Sequence, residues 1–351
     1  LPIGGFTIVA IFFFLQIPSP NHEKIGILDQ IKTLDPIGIF FFIPSVVCLI
    51  LALEWGGSTC AWSAPKIIGL FLIFAVLLVI FVVIEVLMPE TAMVPTRVVL
   101  NRSVAGSMTF MLLLSGGLMS IIYYLAIWFQ AVRGDSAIHS GVSTIPLLLS
   151  MVFLAIPTAV LTEKIGYYVP ALLLSPVLCA LGTGLLSTLT PRSECGAWIG
   201  YQILYGLGLG IGFQTCTLPP QRVLARADVP IGMALVFFMQ QLGGSIFLSV
   251  SQNIFSNELG DRLSGDASLT AEAVVNIGAT NLRNFVPVSE ISTVIDAYSY
   301  SLTRVFIMAA ALSSCMILGS LAVEWKSING KKGSKGPNTA EPKLEEGRIQ
   351  D

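Results

Sequence analysis

The sequence predicts an all-α, polytopic membrane protein, and three observations carry that prediction. Hydrophobic residues make up 54% of the 351 and charged residues only 11%, whereas soluble domains are roughly a quarter charged. The mean hydropathy is +0.81. The apolar residues also fall in runs near the length of about 20 that crosses a hydrocarbon core. A net charge of −2 offers no basic surface to a nucleic acid, so none is expected as a partner.

Taken in order, Leu1–Ile17 is apolar from its first residue. It lacks the basic start and small-residue cleavage site of a signal peptide, and is expected to begin inside a helix, as a fragment would. Residues 18–35 are polar, with Lys24 and Lys32. Further spans are predicted at Pro36–Leu53, Ile67–Leu87, Val104–Phe129, Val142–Leu161, Val169–Leu189, Ala197–Leu218, Ile231–Gln252 and Leu302–Val323, about nine with the partial first. Asn253–Ser301 is expected to be a long loop. The tail from Glu324 is rich in Gly, Lys, Pro and Glu and is expected to be disordered.

Basic residues set the orientation. With the tail in the cytosol, inside segments hold Lys24, Lys32, Arg97, Arg102, Lys164, Arg222, Arg226 and six tail residues, thirteen against Lys66, Arg133 and Arg192 outside. A cytosolic C-terminus is therefore expected. The six cysteines show no metal spacing and no CxxC; Cys60 and Cys195 share the expected outer side, where they could pair.

The chain is organised around Trp198–Phe255. In its first run Gln202, Gly206, Gly210 and Gln214 follow at i, i+4 and form one stripe. Gly200, Gly208 and Gly212 lie roughly opposite. Glycines four apart are the small-xxx-small pattern of closely packed membrane helices. The stripe is either such packing or, given the amides at its ends, a cavity wall.

Between Val104 and Gln252 no span carries a charge at its middle. A sugar or phosphate path would need many polar groups or Arg and Lys to replace hydration. The groups present are Gln202, Gln214, Gln240, Gln241, Tyr123, Tyr124, Tyr201, Tyr205, Phe213, Phe237 and Phe238. Such a lining suits a largely apolar molecule held by a few hydrogen bonds, though each aromatic alone is more often packing. Glu54 and Glu85 lie at span ends, and Asp135, Asp228, Glu290 and Asp296 are expected in loops. No cofactor, metal site or catalytic cluster is expected, which argues against an intramembrane enzyme.

At GYQILYGLGLGIGFQ, DVPIGMALVFFMQQLGGSIFLSVSQNIF and YYLAIWFQAVRGDSAIHSG the chain resembles fungal drug:proton antiporters of the major facilitator superfamily with fourteen spans. LPIGGFTIVAIFFFL resembles their sixth span. The resemblance implies a partial sixth span (1–17), a cytosolic segment plus two linker spans (18–103), a C-terminal six-helix bundle (104–323) and a cytosolic tail (324–351). It implies export of small hydrophobic drugs, toxins or secondary metabolites in exchange for protons, by a monomer in the plasma membrane or the vacuolar membrane. Val104–Phe129 and Ala197–Leu218 would line the central path. The alternative is a truncated, non-transporting remnant or scaffold.

In that family a loop of the form seen here as Thr162-Glu163-Lys164-Ile165-Gly166-Tyr167-Tyr168 stabilises a gate; the plainer reading of Glu163–Lys164 is a cap on a tight turn. Arg222 and Arg226 either follow the charge bias or hold the same gate. The resemblance puts the proton site outside this sequence. Asp228 before Val229-Pro230 reads as a helix N-cap, and the sequon Asn101-Arg102-Ser103 falls on the expected cytosolic side, where it would stay unused.

Overall fold

A computed structural model describes residues 2–14, 35–57, 60–88, 93–263 and 291–327. The predicted polar segment at 18–34, most of the loop after residue 263 with Glu290, and the tail from 328 lie outside them. Among the described residues there are helices and no strands. The helices are α1 (Pro2–Phe14), α2 (Pro36–Trp55), α3 (Pro65–Leu87), α4 (Thr96–Val99), α5 (Arg102–Trp128), α6 (Ala137–Ser143), α7 (Ile145–Ile165), α8 (Val169–Leu186), α9 (Cys195–Cys216), α10 (Leu218–Val223), α11 (Val229–Leu263) and α12 (Ile291–Ala322).

A helix stands at each of the nine predicted spans. Among the described residues seven stretches are long and apolar enough to cross a membrane: α2, α3, α5 with its π-helical extension, α6–α7, α8, α11 and α12. Helix α1 is only 13 residues long. Helix α9 has 22 residues, but its glycines and glutamines keep it out of that group.

The chain divides into two compact units, Leu1–Cys48 with Phe71–Thr96, and Leu49–Leu70 with Arg97–Asp351. In the first, Ser45 Oγ donates to the Phe74 carbonyl at 3.1 Å, and the Phe42 and Phe81 rings stand 4.8 Å apart. Glu85 accepts from the Val94 amide at 3.1 Å and 3.2 Å, so its carboxylate ties down the backbone that follows α3. Asp35, at φ 47, caps α2 by accepting from the Gly38 amide at 2.9 Å.

The second unit holds the bundle. Its six long helices form two trios, α5–α7–α8 and α9–α11–α12. The leading helix of each trio packs chiefly on the other trio's second and third helices: α5 on α11 and α12, α9 on α7 and α8. Helices α8 and α12 complete the ring by meeting each other. This reciprocal exchange is the contact pattern of an internal repeat.

Local chemistry fixes the helix ends. Asn101 caps α5 by accepting from the Ser103 amide at 3.1 Å, so the sequon asparagine has a structural task. Gly166 ends α7 in the left-handed region, at φ 77, with its amide donating to Thr162 O at 3.0 Å. Helix α5 runs on as a π-helical turn, Phe129–Arg133, closed by Gly134, also at φ 77.

Buried hydroxyls pair across the helix seams. Ser175 Oγ donates to Gly208 O at 2.8 Å, Ser320 Oγ to Leu172 O at 2.7 Å, and Ser251 Oγ to Ser120 Oγ at 2.8 Å. These small hydroxyls satisfy carbonyls across helix seams, the usual glue where no water competes. All six cysteines are free, so Cys60 and Cys195 do not pair here. Cys195 lies instead 3.9 Å from the Arg133 guanidinium.

Two expectations are corrected. The stretch Asn253–Ser301 is not a loop throughout: α11 continues to Leu263 and α12 begins at Ile291. Asp296 therefore stands on a helix. The cause is amphipathic rather than apolar character. Phe255, Leu259 and Leu263 repeat at i, i+4 and are buried, as are Val294, Ala297, Tyr298 and Ser301. The Phe255 and Tyr298 rings meet at 5.4 Å. At the start of α11 the Asp228 carbonyl accepts from the Gly232 amide at 3.0 Å, and its carboxylate accepts from Arg97 at 2.9 Å, joining this end to α4.

Candidate functional site

The site is built on α5 and α11 with the end of α2. Helix α5 carries Tyr123, α11 carries Ser245, Leu248, Ser249 and Gln252, and the last turns of α2 with the following glycine supply Ile50, Leu53, Glu54 and Gly56. Together they line a cleft of about 450 Å³, inside the range of about 300–1,000 Å³ typical of small-molecule sites. Tyr123 stands roughly 30 Å along α5 from Arg102, at 1.5 Å per residue. The cleft thus lies towards the end of the bundle remote from Arg102.

Each wall is held in place. Ser249 Oγ donates to Leu53 O at 2.5 Å. Trp62 Nε1 donates to Asn253 Oδ1 at 2.7 Å, and Asn253 Nδ2 donates to Ser249 O at 2.8 Å. Gly57 sits beneath that bond in the left-handed region, at φ 74, where a Cβ would run into the Asn253 amide. Lys66 lies over the Trp55 ring, 3.9 Å from its centroid. The turn after α2 is therefore pinned to α11 by polar contacts as well as packing.

Behind the cleft wall, Tyr124 is fully buried, and its hydroxyl donates to Gln252 Oε1 at 2.7 Å. Gln252 Nε2 reaches Ser256 Oγ at 3.5 Å. The amide is thereby oriented before any ligand arrives. Tyr123, 52% exposed, presents its ring to the cleft while packing edge-on against Tyr124 at 5.2 Å.

The predicted binding residues fall in three places. Tyr123 lines the cleft and Tyr124 props it. Phe237 and Gln241, both exposed, lie on the α11 stripe that continues through Ser245, Leu248 and Gln252; Gln240, the neighbouring residue, is half-buried. Gln214 and Phe213 are half-buried on α9.

Gln202 and Tyr205 sit in seams. Gln202 is 0% exposed, and its Nε2 donates to the Ser143 carbonyl at 3.1 Å. Its Oε1 has no hydrogen-bond partner among the described residues. Tyr205 is buried, with its backbone pressed against Gly182.

The stripe of Gln202, Gly206 and Gly210 meets α7. A Cβ at Gly206 would strike Ser150 and Leu147, and one at Gly210 would strike the Met151 carbonyl. On the other side, a Cβ at Gly208 would stand 2.7 Å from Cys179 N, and one at Gly212 2.6 Å from Ser175 Oγ, both on α8. These four glycines are close-approach points, and Gly200 is not, with nothing within 4 Å of its Cβ position. Of the gate candidates, Glu163, Lys164, Arg222 and Arg226 are exposed and Gly166 is buried.

Sequence reasoning missed Ser245, Ser249 and Gln252, and that the exposed Glu54 borders the cleft. The signal was present for Gln252: it falls on the stripe of Gln241, Ser245 and Leu248 at i, i+4, i+7 and i+11.

These features define a polytopic helical membrane protein whose six long helices pack as two reciprocal trios, with a cleft of mixed polarity lined by α5, α11 and the end of α2. No family model matches the chain. It is 41% identical over 339 residues to the efflux pump roqT of Penicillium rubens, covering 96% of this chain and 63% of that protein. It is 42% identical over 331 residues to the efflux pump aflT of Aspergillus parasiticus, covering 93% and 64%. It is 38% identical over 332 residues to the rubrofusarin-specific efflux pump aurT of Gibberella zeae, covering 95% and 61%. The chain thus spans less than two thirds of the length of the curated relatives it matches. The curated relatives it resembles at this level are MFS-type transporters, members of the major facilitator superfamily, and fungal efflux pumps.

Proposed function

We propose that the full-length product of this gene exports small hydrophobic organic molecules, of the drug, toxin or secondary-metabolite kind, across the plasma membrane in exchange for protons. The observation that carries this reading is identity near 40% to named efflux pumps along about 95% of the chain. The cleft supports it chemically. Ile50, Leu53 and Leu248 offer apolar contact, while Tyr123, Ser245 and Gln252 offer a few neutral hydrogen-bonding groups.

We take Tyr123, Gln252 and Ser245, with Gln241, Gln240 and Phe237 further along α11, as the substrate-facing set. Arg222, Arg226, Glu163 and Lys164 then lie at the cytosolic end, in keeping with the excess of basic residues on that side. Among the described residues no carboxylate lies at the middle of a span.

The test is to express the full-length product in a yeast strain stripped of its own drug exporters and load the cells with Nile red, a neutral lipophilic dye. Energised cells are expected to retain several-fold less dye than cells with an empty vector, and a protonophore should abolish the difference. Equal retention at verified surface expression would refute export. Export that survives the protonophore would refute proton exchange.

A further inference from the structure

Two arginines meet on one tyrosine ring at the end of the bundle remote from Arg102. The Arg262 guanidinium lies 3.7 Å from the Tyr300 ring centroid and the Arg304 guanidinium 4.6 Å from it. Arg304 also donates to the Tyr300 hydroxyl. Arg262 belongs to the last turn of α11, and the other two residues to the first half of α12. Their level in the bundle is set by the neighbouring Tyr298, whose ring meets Phe255 and, through it, Tyr124 near the end of α5.

Arg262 and Arg304 are exposed, and the rest of α12 shows to what. Arg304 continues a face that carries Ile307, Ala311, Ser314, Leu318 and Leu321, all exposed, at spacings of three and four. Ser314 Oγ donates to the Ala310 carbonyl at 2.9 Å, so its hydroxyl is satisfied within the helix. At the far end Arg102, also exposed, donates to the Leu321 carbonyl at 3.2 Å. From residue 304 to residue 321 a helix rises about 26 Å. The hydrocarbon core is about 30 Å thick, and long arginine stems cover the difference. A lipid-facing stripe with an arginine at each end puts Arg304, and Arg262 with it, at headgroup level.

Two cations held against one ring repel each other, and a phosphate relieves that repulsion. Each guanidinium offers a planar fork to phosphate oxygens, and the Tyr300 hydroxyl, while accepting from Arg304, keeps its own O–H to donate. Glu258, the acid whose charge bears on Arg304, and Asp261 and Asp296 stand on the same helix ends. The patch thus carries no excess of positive charge, which fits the phosphate of a zwitterionic lipid rather than an acidic one. A phospholipid reaches this place with its acyl chains already against Ile307 and Leu318, as free phosphate does not.

We propose that Arg262, Tyr300 and Arg304 hold the phosphate of one phospholipid in the leaflet remote from Arg102, tying the end of α11 to α12. The test titrates the full-length product in detergent micelles with dioleoylphosphatidylcholine and, separately, with dioleoylglycerol, which has the same acyl chains and no phosphate. Bound lipids are counted by native mass spectrometry. One phosphatidylcholine is expected to bind the wild type at least fivefold more tightly than Arg262→Gln/Arg304→Gln, while dioleoylglycerol binds the two proteins alike. Equal affinity for phosphatidylcholine overturns the proposal, as does an equal loss for both lipids. Inorganic phosphate at the lipid's concentration should leave the bound lipid in place; displacement would make free phosphate the ligand and overturn the lipid assignment.

A second measurement uses the wild type alone. Phosphatidylcholine with a diazirine in its headgroup is photolysed on the reconstituted protein, and the labelled peptides are mapped. Label is expected to be several-fold denser on residues 258–263 and 296–307 than on the other helix ends at that level. Even labelling of those ends overturns the proposal, whether or not the double variant folds.

Discussion

The two-sided packing of α9 makes a sharp prediction through one substitution placed at two positions. At Gly208 an added methyl would stand 2.7 Å from Cys179 N and 2.7 Å from its Sγ. The backbone atom cannot rotate away, so α8 and α9 must separate by roughly 0.7 Å to restore ordinary contact near 3.4 Å. That movement also strains the bond from Ser175 Oγ to Gly208 O, now 2.8 Å. Overpacking costs about 1–3 kcal/mol, and a weakened buried hydrogen bond adds about 0.5–1.5 kcal/mol. Alanine recovers roughly 1 kcal/mol of helix propensity over glycine. At Gly200 the same methyl meets nothing within 4 Å, so only the propensity gain applies. Gly208→Ala is therefore expected to be less stable than Gly200→Ala by about 2 kcal/mol, the propensity term being common to both. Thermal unfolding of the purified variants, followed by tryptophan fluorescence, measures the difference. If the two variants unfold together within about 0.5 kcal/mol, the seam is not closed in solution and the close approach of α8 and α9 is wrong.

The start of the segment after α12 is strapped to the loop between α7 and α8 and to the start of α5: Tyr168 Oη donates to Glu324 O at 2.7 Å, and the Glu324 amide donates to Ser103 Oγ at 3.1 Å. Tyr168→Phe should cost about 1 kcal/mol at neutral pH, read by thermal unfolding. Burial raises the Tyr168 pKa above its ordinary 10.0, so ionisation is easier in the unfolded chain. Its contribution is intact below pH 10 and is lost as pH climbs through the raised value; an unfolding series in which Tyr168→Phe leaves the alkaline loss of stability unchanged would exclude this tyrosine as a source. The pair of Arg97 and Asp228, 2.9 Å apart with side chains 74% and 14% exposed, should contribute no more than about 1 kcal/mol. A double-mutant cycle at low salt and at 1 M salt should show that coupling fade; coupling that persists at high salt would mean the pair is more enclosed than its exposure implies.

The sequence made the helices of this protein legible because hydrocarbon leaves a simple mark, a run of apolar residues of fixed length. It hid the ends of α11 and α12, because their outer turns are amphipathic: Phe255, Leu259 and Leu263 are buried while Asp261 and Arg262 are exposed. A scan for continuous apolar runs stops at such a change, and a scan for i, i+4 periodicity would not. The α9 stripe was legible as a place of close approach but not as to what approaches. Glycine at 206 and 210 is equally compatible with a hollow and with a neighbouring backbone, and only the third dimension supplies the carbonyls of Leu147 and Met151. The cleft was least legible, since residues 50–56, 123 and 245–252 converge from three distant stretches.

Burial and apolarity together explain why the cleft lies on α11. Helix α3 is the most apolar of the spans and only 11% of its most apolar window is buried, as expected of a helix surrounded by lipid. Helix α5 is less apolar and 61% buried; a helix sheathed in protein has no need of an oily surface. Helix α9 carries that logic furthest, with glycine close approaches on two sides and too little hydropathy to register as a span. Helix α11 obeys neither rule, for it is the least apolar of the seven spans yet only 22% buried. Its open face carries Gln241, Ser245, Ser249 and Gln252, which hydrocarbon would solvate poorly. A face that is neither covered by its own bundle nor suited to lipid must meet water, another stretch of protein or a ligand, and the cleft at Tyr123 and Glu54 is where part of it does.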